Sequence, residues 1–238
     1  MIKLFEQFNN EQEIHDICKK YNIENYTTNP DGSIDVDGNV NITYENLLEI
    51  PINFNNVSGD FYCQYNSLTT LKGSPKYVGG SFFCNNNELT TLEHSPIFIK
   101  NIINCSSNML TSMIGCSKHI GSMILCDDNY LVNLDYIPKH INDDLDCSRN
   151  KITTFKNGPM CIDGRLYINN NPISLIDSSL IVNFDIDINN TKFYDKIKNL
   201  SRDKLRILFE HGIDYDIFRK DGSINDSRLE RLFKDFDL

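Results

Sequence analysis

The 238-residue chain is predicted to fold as a β-rich (α+β) repeat solenoid with helical segments at both ends. Three observations predict it. Cys63, Cys84, Cys105, Cys126 and Cys147 recur every 21 residues, an asparagine follows each at a constant offset, and apolar residues fill fixed places between them. A period of about 20–29 residues with Leu and Asn at set offsets marks a stack of equivalent coils.

Each column of the repeat has its own chemistry. Two residues before the cysteines stand Phe61, Phe82, Ile103, Ile124, Leu145 and Leu166, and six before them stand Val57, Val78, Ile99, Ile120, Ile141 and Ile162. Three residues after come Asn66, Asn87, Asn108, Asn129, Asn150 and Asn171. The apolar columns Leu68, Leu89, Leu110, Leu131, Ile152, Ile173 and Leu71, Leu92, Met113, Leu134, Phe155, Ile176 follow. Upstream, Val40, Ile42, Leu47 and Ile50 keep the register. Downstream, Ile186 and Ile188 have slipped by one residue and Thr191 replaces the asparagine. The terminal units of a stack are expected to be atypical in this way.

In Phe-x-Cys the alternate side chains share one face, as a strand requires. Cysteine acts there as a small buried hydrophobe, so the five thiols are expected to form an internal ladder rather than disulfides. The asparagines carry both donors and acceptors, which suits the buried backbone where a strand ends and the chain turns inward.

The unit L-x-C-x-x-N-x-L-x-x-L resembles the leucine-rich repeat, with Cys at one Leu position. Its short period and the prolines Pro75, Pro96, Pro138 and Pro159 resemble the short repeats of bacterial effector proteins. The wording LKGSPKYVGGSFFCNNNELTTLE also resembles leucine-rich-repeat proteins of bacteriophages and large DNA viruses. The resemblance covers about residues 40–192. It implies a leucine-rich-repeat-like stack with a parallel concave sheet, capped by helices, and a non-catalytic scaffold that binds a protein on its concave face. The domain reading is 1–39 as an N-terminal helix and strand cap, 40–192 as the solenoid, and 193–238 as a C-terminal helical cap.

The ends support helices on local grounds. Ile14, Ile17, Cys18 and Tyr21 have the spacing of an amphipathic helix, and TTNPDGSIDVDGNVNIT alternates around turn residues like short strands. Ser201 is placed to cap a helix that ends at Gly212 and buries Leu205, Leu208 and Phe209. Ser227 with Glu230 forms a capping box before the apolar stripe Leu229, Leu232, Phe233 and Phe236. NPDGSIDVDGNV and RKDGSINDSRLE lack the acidic first ligand and terminal Glu of a calcium loop and are turns.

Charge excludes some partners. The net charge is −10, with three basic and ten acidic residues in 1–54. An acidic chain is poorly suited to phosphate backbones or anionic membranes, and no apolar run approaches a membrane span. The start lacks an apolar secretory leader, so a cytoplasmic site is expected, the host cytoplasm if the chain is virus-encoded.

Positions that vary between coils are the candidate binding surface. Tyr62, Phe83, Ile102, Met123 and Leu125 would form an apolar patch, with Asp127, Asp128, Asp144, Asp146, Arg149 and Arg165 beside it. Exposed aromatics and Met within a polar rim are typical of protein interfaces. A protein partner is expected, with the chain a monomer or weak homo-oligomer. One column, Tyr77, Phe98, His119, His140, Cys161 and Val182, places zinc-type ligands on successive coils with Cys116 near in sequence. Its aromatic members favour packing over metal, and neither metal nor cofactor is expected.

No nucleophile–base pair or phosphate-cradling loop stands out, and VGGS at 78–81 enters a strand rather than a helix. The chain is therefore read as a non-enzyme. Ubiquitin-ligase chemistry of some similar effectors is not carried over, because the last cysteine, Cys161, lies within the repeats. The alternatives are a structural or packaged virion component, for which LFE at 4–6 resembles a phage head cleavage site, and an activity in the C-terminal helices.

Overall fold

A computed structural model describes the backbone of residues 2–173, 180–183, 186–187, 197, 199–212, 215, 217, 219 and 224–238, and side chains within these from residue 11 onward, except 181, 202, 206, 209 and 210. Ile176, Ile188, Thr191 and the Phe209 side chain lie outside the described residues. The chain divides into two compact units, Met1–Met109 with Gly115–Gly121, and Leu110–Ile114 with Ser122–Leu238.

The first unit opens with helix α1 (Ile2–Lys20), which buries Ile14, Cys18 and the following Tyr21 and leaves Ile17 partly covered. Strands β1 (Tyr26–Thr28) and β2 (Ile34–Val36) then pair antiparallel around the NPDGS turn. In that turn Gly32 takes φ +80°, and Asp31 Oδ1 accepts from the Ser33 amide at 3.0 Å and hydroxyl at 2.6 Å. These bonds hold the Asp31 carboxyl below its ordinary pKa and make the segment a turn.

From β2 onward the unit is a solenoid with two parallel sheets. One sheet continues from β2 through β4 (Phe54–Val57), β6 (Tyr77–Val78), β8 (Phe98–Ile99) and β10 (His119–Ile120). The other runs through β3 (Val40–Asn41), β5 (Phe61–Tyr62), β7 (Phe82–Phe83) and β9 (Ile103–Asn104). Val40 pairs with Phe61, Phe61 with Phe82, and Phe82 with Ile103, so the 21-residue sequence period is the strand register itself.

The resemblance led us to expect one parallel sheet, and each coil instead contributes to two. The Val column and the Phe column are only four residues apart, and the chain bends sharply between them at Gly79, Gly80 and Ser81. At Gly79 a Cβ would stand 2.2 Å from the Ser58 carbonyl oxygen of the preceding coil, so this coil takes glycine at the corner, where others carry Lys100, Asn142 or Asp163.

The second unit repeats the plan. One sheet holds β11 (Ile124–Leu125), β13 (Leu145–Asp146), β15 (Leu166–Tyr167) and β17 (Ile186–Asp187). The other holds β12 (His140–Ile141), β14 (Cys161–Ile162) and β16 (Ile181–Val182). Leu166 faces Ile186 and Cys161 faces Ile181, so the one-residue slip expected downstream is present in both sheets. It also corrects one column: Ile181, not Val182, is the cross-strand neighbour of Cys161.

Helix α2 (Arg202–His211) follows in the second unit, with Ser201 Oγ accepting from the Lys204 amide at 3.3 Å and Gly212 closing it. It buries Leu208, lies against β16 and pairs with α3 (Asp226–Asp235). The start of α3 differs from the expected Ser227 capping box. Asn225 is the cap and accepts from Arg228, and Ser227 sits inside the first turn. Asn satisfies an orphan amide as well as Ser does, and it stands two residues earlier. Leu229, Leu232 and Phe233 are buried, whereas Phe236 lies on the rim, stacked on His211 at 4.6 Å.

The core is the set of inward columns. Phe61, Phe82, Cys63, Cys84, Cys105, Leu68 and Leu89 in the first unit are fully buried, as are Cys126, Cys147, Leu131, Leu145, Leu166 and Ile168 in the second. All eight cysteines are free thiols, and Cys161 alone among them is not fully buried. Burial raises the Cys63, Cys84 and Cys147 thiols above their ordinary value and pushes Cys116 up to about 12. Since the thiolate is the nucleophile, brief alkylation of the native protein is expected to label Cys161 first and spare the five ladder cysteines. Denaturant should open all eight, read by intact and peptide mass. Rapid native labelling of Cys84 or Cys147 would contradict the ladder.

Among the described residues, no helix is long and apolar enough to cross a membrane.

Candidate functional site

The residues flanking the inward Phe and Cys positions emerge on the outer face of the β3–β5–β7–β9 sheet and of its counterpart β11–β13–β15–β17. Alternation forces this: Phe61, Phe82 and Leu145 are fully buried, and Tyr62, Phe83 and Asp146 next to them are half-buried.

In the first unit, Tyr62 and Phe83 stack with ring centroids 5.1 Å apart and planes 1° from parallel. Their backbones are register partners, so the spacing follows from the strand pairing. The Tyr62 hydroxyl donates to Asp60 Oδ2 at 2.8 Å, and this bond, aided by burial, raises the phenol pKa. Ile102 lies half-buried at the entrance to β9. Three of the five expected apolar residues therefore belong to this unit.

In the second unit, Met123 and Leu125 are half-buried at β11. The charged residues are held by specific bonds. Arg149 bridges Asp127 and Asp128, with Nε 2.8 Å from Asp128 Oδ1. That pairing, led by the Asp128 hydrogen bond, raises the guanidinium pKa further. Asp144 Oδ1 accepts from the Arg165 amide at 2.7 Å, one coil on. Asp60 does the same for Ser81 at 2.6 Å, and Asn39 for Asp60 at 2.8 Å, in the first unit. Asp144 thus fastens neighbouring coils as well as carrying charge, a role that the column of Asn39 and Asp60 could have signalled. Arg165 is exposed and reaches the Tyr167 hydroxyl at 3.4 Å.

Asp146 Oδ1 accepts from the Ser148 amide at 3.0 Å and hydroxyl at 2.6 Å. Burial outweighs these bonds and raises its carboxyl pKa above the ordinary value. With the folded-state value raised, the ionised group opposes folding at neutral pH. That penalty fades as pH falls through the raised value toward the ordinary carboxylate range. Asp146→Asn keeps the oxygen that Ser148 needs and removes the charge. It is expected to melt above the parent protein at pH 7, with the advantage gone at pH values below the ordinary range. Equal melting at neutral pH would show a solvated carboxylate.

The column expected to combine His119, His140 and Cys161 lies on the other sheet of each coil. Cys116 is buried away from it with its thiol protonated, and His119 belongs to the first unit. In the second unit His140 and Cys161 are register partners. The residue that sequence reasoning missed is Asp163. Its Oδ2 lies 2.8 Å from His140 Nε2, and its Oδ1 accepts from the Cys161 thiol at 3.6 Å and from Asn183 Nδ2 at 2.9 Å. The strand rule signals it, since Asp163 is two residues after Cys161 and returns to the same face. The His140 hydrogen bond holds the Asp163 carboxyl below its usual range. Burial, followed by the Asp163 contact, raises the Cys161 thiol.

No protein-family model matches the chain, and comparison with curated proteins finds no match.

Proposed function

We propose that the chain is a non-catalytic protein-binding scaffold of leucine-rich-repeat type. Its docking surface is the outer face of the strands that carry the Phe-x-Cys columns, with α1 as the cap of the first unit's coils and the α2–α3 pair as the cap of the second unit's coils. The observation that carries the reading is the Tyr62–Phe83 pair: two parallel rings, half-buried, on a face where the repeat itself requires no aromatic residue. Rigid aromatic side chains supply contact area at low entropic cost and are the anchors around which interface energy concentrates. The leucine-rich-repeat assignment is supported by the L-x-C-x-x-N-x-L-x-x-L unit, and a virus-encoded factor acting on a host protein remains the context that the wording of the repeats suggests.

The charged part of the surface adds selectivity through Arg149 and its aspartates, and through Arg165. The test is affinity capture from a lysate of the native host cell. Tyr62→Ala, Phe83→Ala and Leu125→Glu are combined in a control bait whose fold is first confirmed by circular dichroism. A protein enriched by the parent and lost by the control supports the docking face, and equal capture by both baits overturns it. Asp144→Asn is the right probe of the acidic side, because Asn39 shows that an amide oxygen serves in that column.

A further inference from the structure

The sheet β12–β14–β16 has a second surface feature, on a different face of the coil from the proposed docking surface. Ile141 and Ile162 point into the core, so His140, Cys161 and Asp163 point out. Their ligating atoms all lie within 4.8 Å of one another. Around a tetrahedral zinc with bonds of about 2.0–2.3 Å, donor atoms stand about 3.3–3.8 Å apart. Cys161 Sγ stands 3.6 Å from Asp163 Oδ1, inside that interval, while His140 Nε2 stands 2.8 Å from the other oxygen, Oδ2, so a rotation of the carboxylate must present a single oxygen to an ion held by both. The arrangement rests on parallel strand register and not on a loop, so the ligands are held by the coil itself.

Two further observations point to a cation. Asn183 on the next coil donates to Asp163 Oδ1 at 2.9 Å, the kind of outer hydrogen bond that orients a ligating carboxylate. Asp163 also lines an open cleft of about 270 Å³ together with Asn142, Asp143, Asp144, Gly164 and Arg165, whose carboxylates outnumber its single cation. His140 and Cys161 do not line that cleft, which reaches round the corner to Asp144 and Arg165 of the proposed docking surface and adds negative charge beside the three ligands. The exposure of the His140 and Asp163 side chains leaves the fourth position to solvent. A nucleophilic cysteine is a poorer reading, because the imidazole is hydrogen-bonded to the carboxylate and the thiol faces the carboxylate too.

We propose that His140, Cys161 and Asp163 form a binding site for a zinc-class divalent cation, using one imidazole nitrogen, one thiolate and one carboxylate oxygen, with solvent in the fourth position. Imidazole with thiolate selects zinc-like ions over magnesium or calcium, which require oxygen ligands. Binding breaks the S–H bond of Cys161, releases its proton to solvent and forms the sulfur–metal bond. The ion replaces the His140–Asp163 hydrogen bond and ties the coil of β12 to that of β14.

The test uses the full chain, reduced and stripped of metal with a chelator, then titrated with Co²⁺. One equivalent is expected to produce a thiolate-to-cobalt charge-transfer band in the near ultraviolet and the visible bands of a four-coordinate ion. Zn²⁺ should displace both. Cys161→Ser should lose the charge-transfer band. Asn183→Ala should keep it while weakening affinity by about tenfold or more. A second measurement needs no variant: saturating Zn²⁺ should slow alkylation of Cys161 by about tenfold or more, since metal occupies the reactive sulfur, and chelator should restore the rate. No charge-transfer band in the parent protein, a band that survives Cys161→Ser, or an alkylation rate indifferent to Zn²⁺ would each overturn the site.

Discussion

Asn150→Ala is expected to destabilise the protein by about 3 kcal/mol, far more than removing a surface amide. The Asn150 amide nitrogen donates to the carbonyls of Cys126, Cys147 and Ser148 at 3.0, 3.1 and 3.0 Å, and its oxygen accepts from the Leu131 amide at 2.9 Å. One side chain therefore joins its own turn to the coil before it. It is buried, so water cannot replace what alanine removes. An unsatisfied buried polar group costs about 1–3 kcal/mol, and this substitution creates at least two. Asn66→Ala is the internal control. Asn66 makes the same kind of bonds to Ile42, Cys63, Glu45 and Leu47 but is only half-buried, so solvent can reach the orphaned groups. Urea denaturation should show a markedly larger loss for Asn150→Ala. Equal losses would mean that the ladder acts through something other than buried hydrogen bonds.

The second large effect is expected at the aromatic core. Phe82 is fully buried and lies against Phe61 with ring centroids 5.6 Å apart, the two residues being register partners. Phe54 meets Phe61 edge-on at 5.0 Å, which extends the cluster. Phe82→Ala removes a ring from a packed site whose walls are strands fixed by their own ladders, so the cavity closes poorly. A loss of about 3–5 kcal/mol is expected, whereas Phe82→Leu should cost under about 1.5 kcal/mol because volume is largely kept. Coils of a solenoid are stabilised mainly by their neighbours. Amide exchange should therefore quicken first in β5, β7 and β9. Alanine and leucine variants of equal stability would show that packing volume at Phe82 does not matter.

Much of this architecture is legible in the sequence, because a repeat turns each column into several observations of one environment. Six asparagines at one offset can only be explained by a job done on every coil, and five cysteines in a Phe-x-Cys strand read as inward. The slip at Ile186 was visible as a one-residue shortening of the period, and the strands pair accordingly. The helix after Ser201 follows from its cap and stop residues. The cap of α3 was misplaced because Asn225 and Ser227 are both good caps, and local sequence does not rank them.

Other features are absent from any single column. Each turn needs one residue in the left-handed region: Tyr65, Asn86, Ser107, Asp128, Arg149 and Asn170 have φ between +51° and +57°. Asn and Asp favour that conformation, but Tyr65 and Arg149 adopt it at a cost of about 1–2 kcal/mol each, which the asparagine bonds next to them offset. Sequence types at that position vary too widely to announce the geometry.

By itself, then, the sequence determined the period, the inward faces and the asparagine ladder, because identical environments demand similar residues on every coil. Only the tertiary structure decided that each coil bends into two sheets, that Asp144 is bound to a backbone amide, and that Asp163 joins His140 and Cys161. Those outcomes depend on which atoms of neighbouring coils come within bonding distance across a corner or a strand pair, and residue spacing along one chain does not contain that distance.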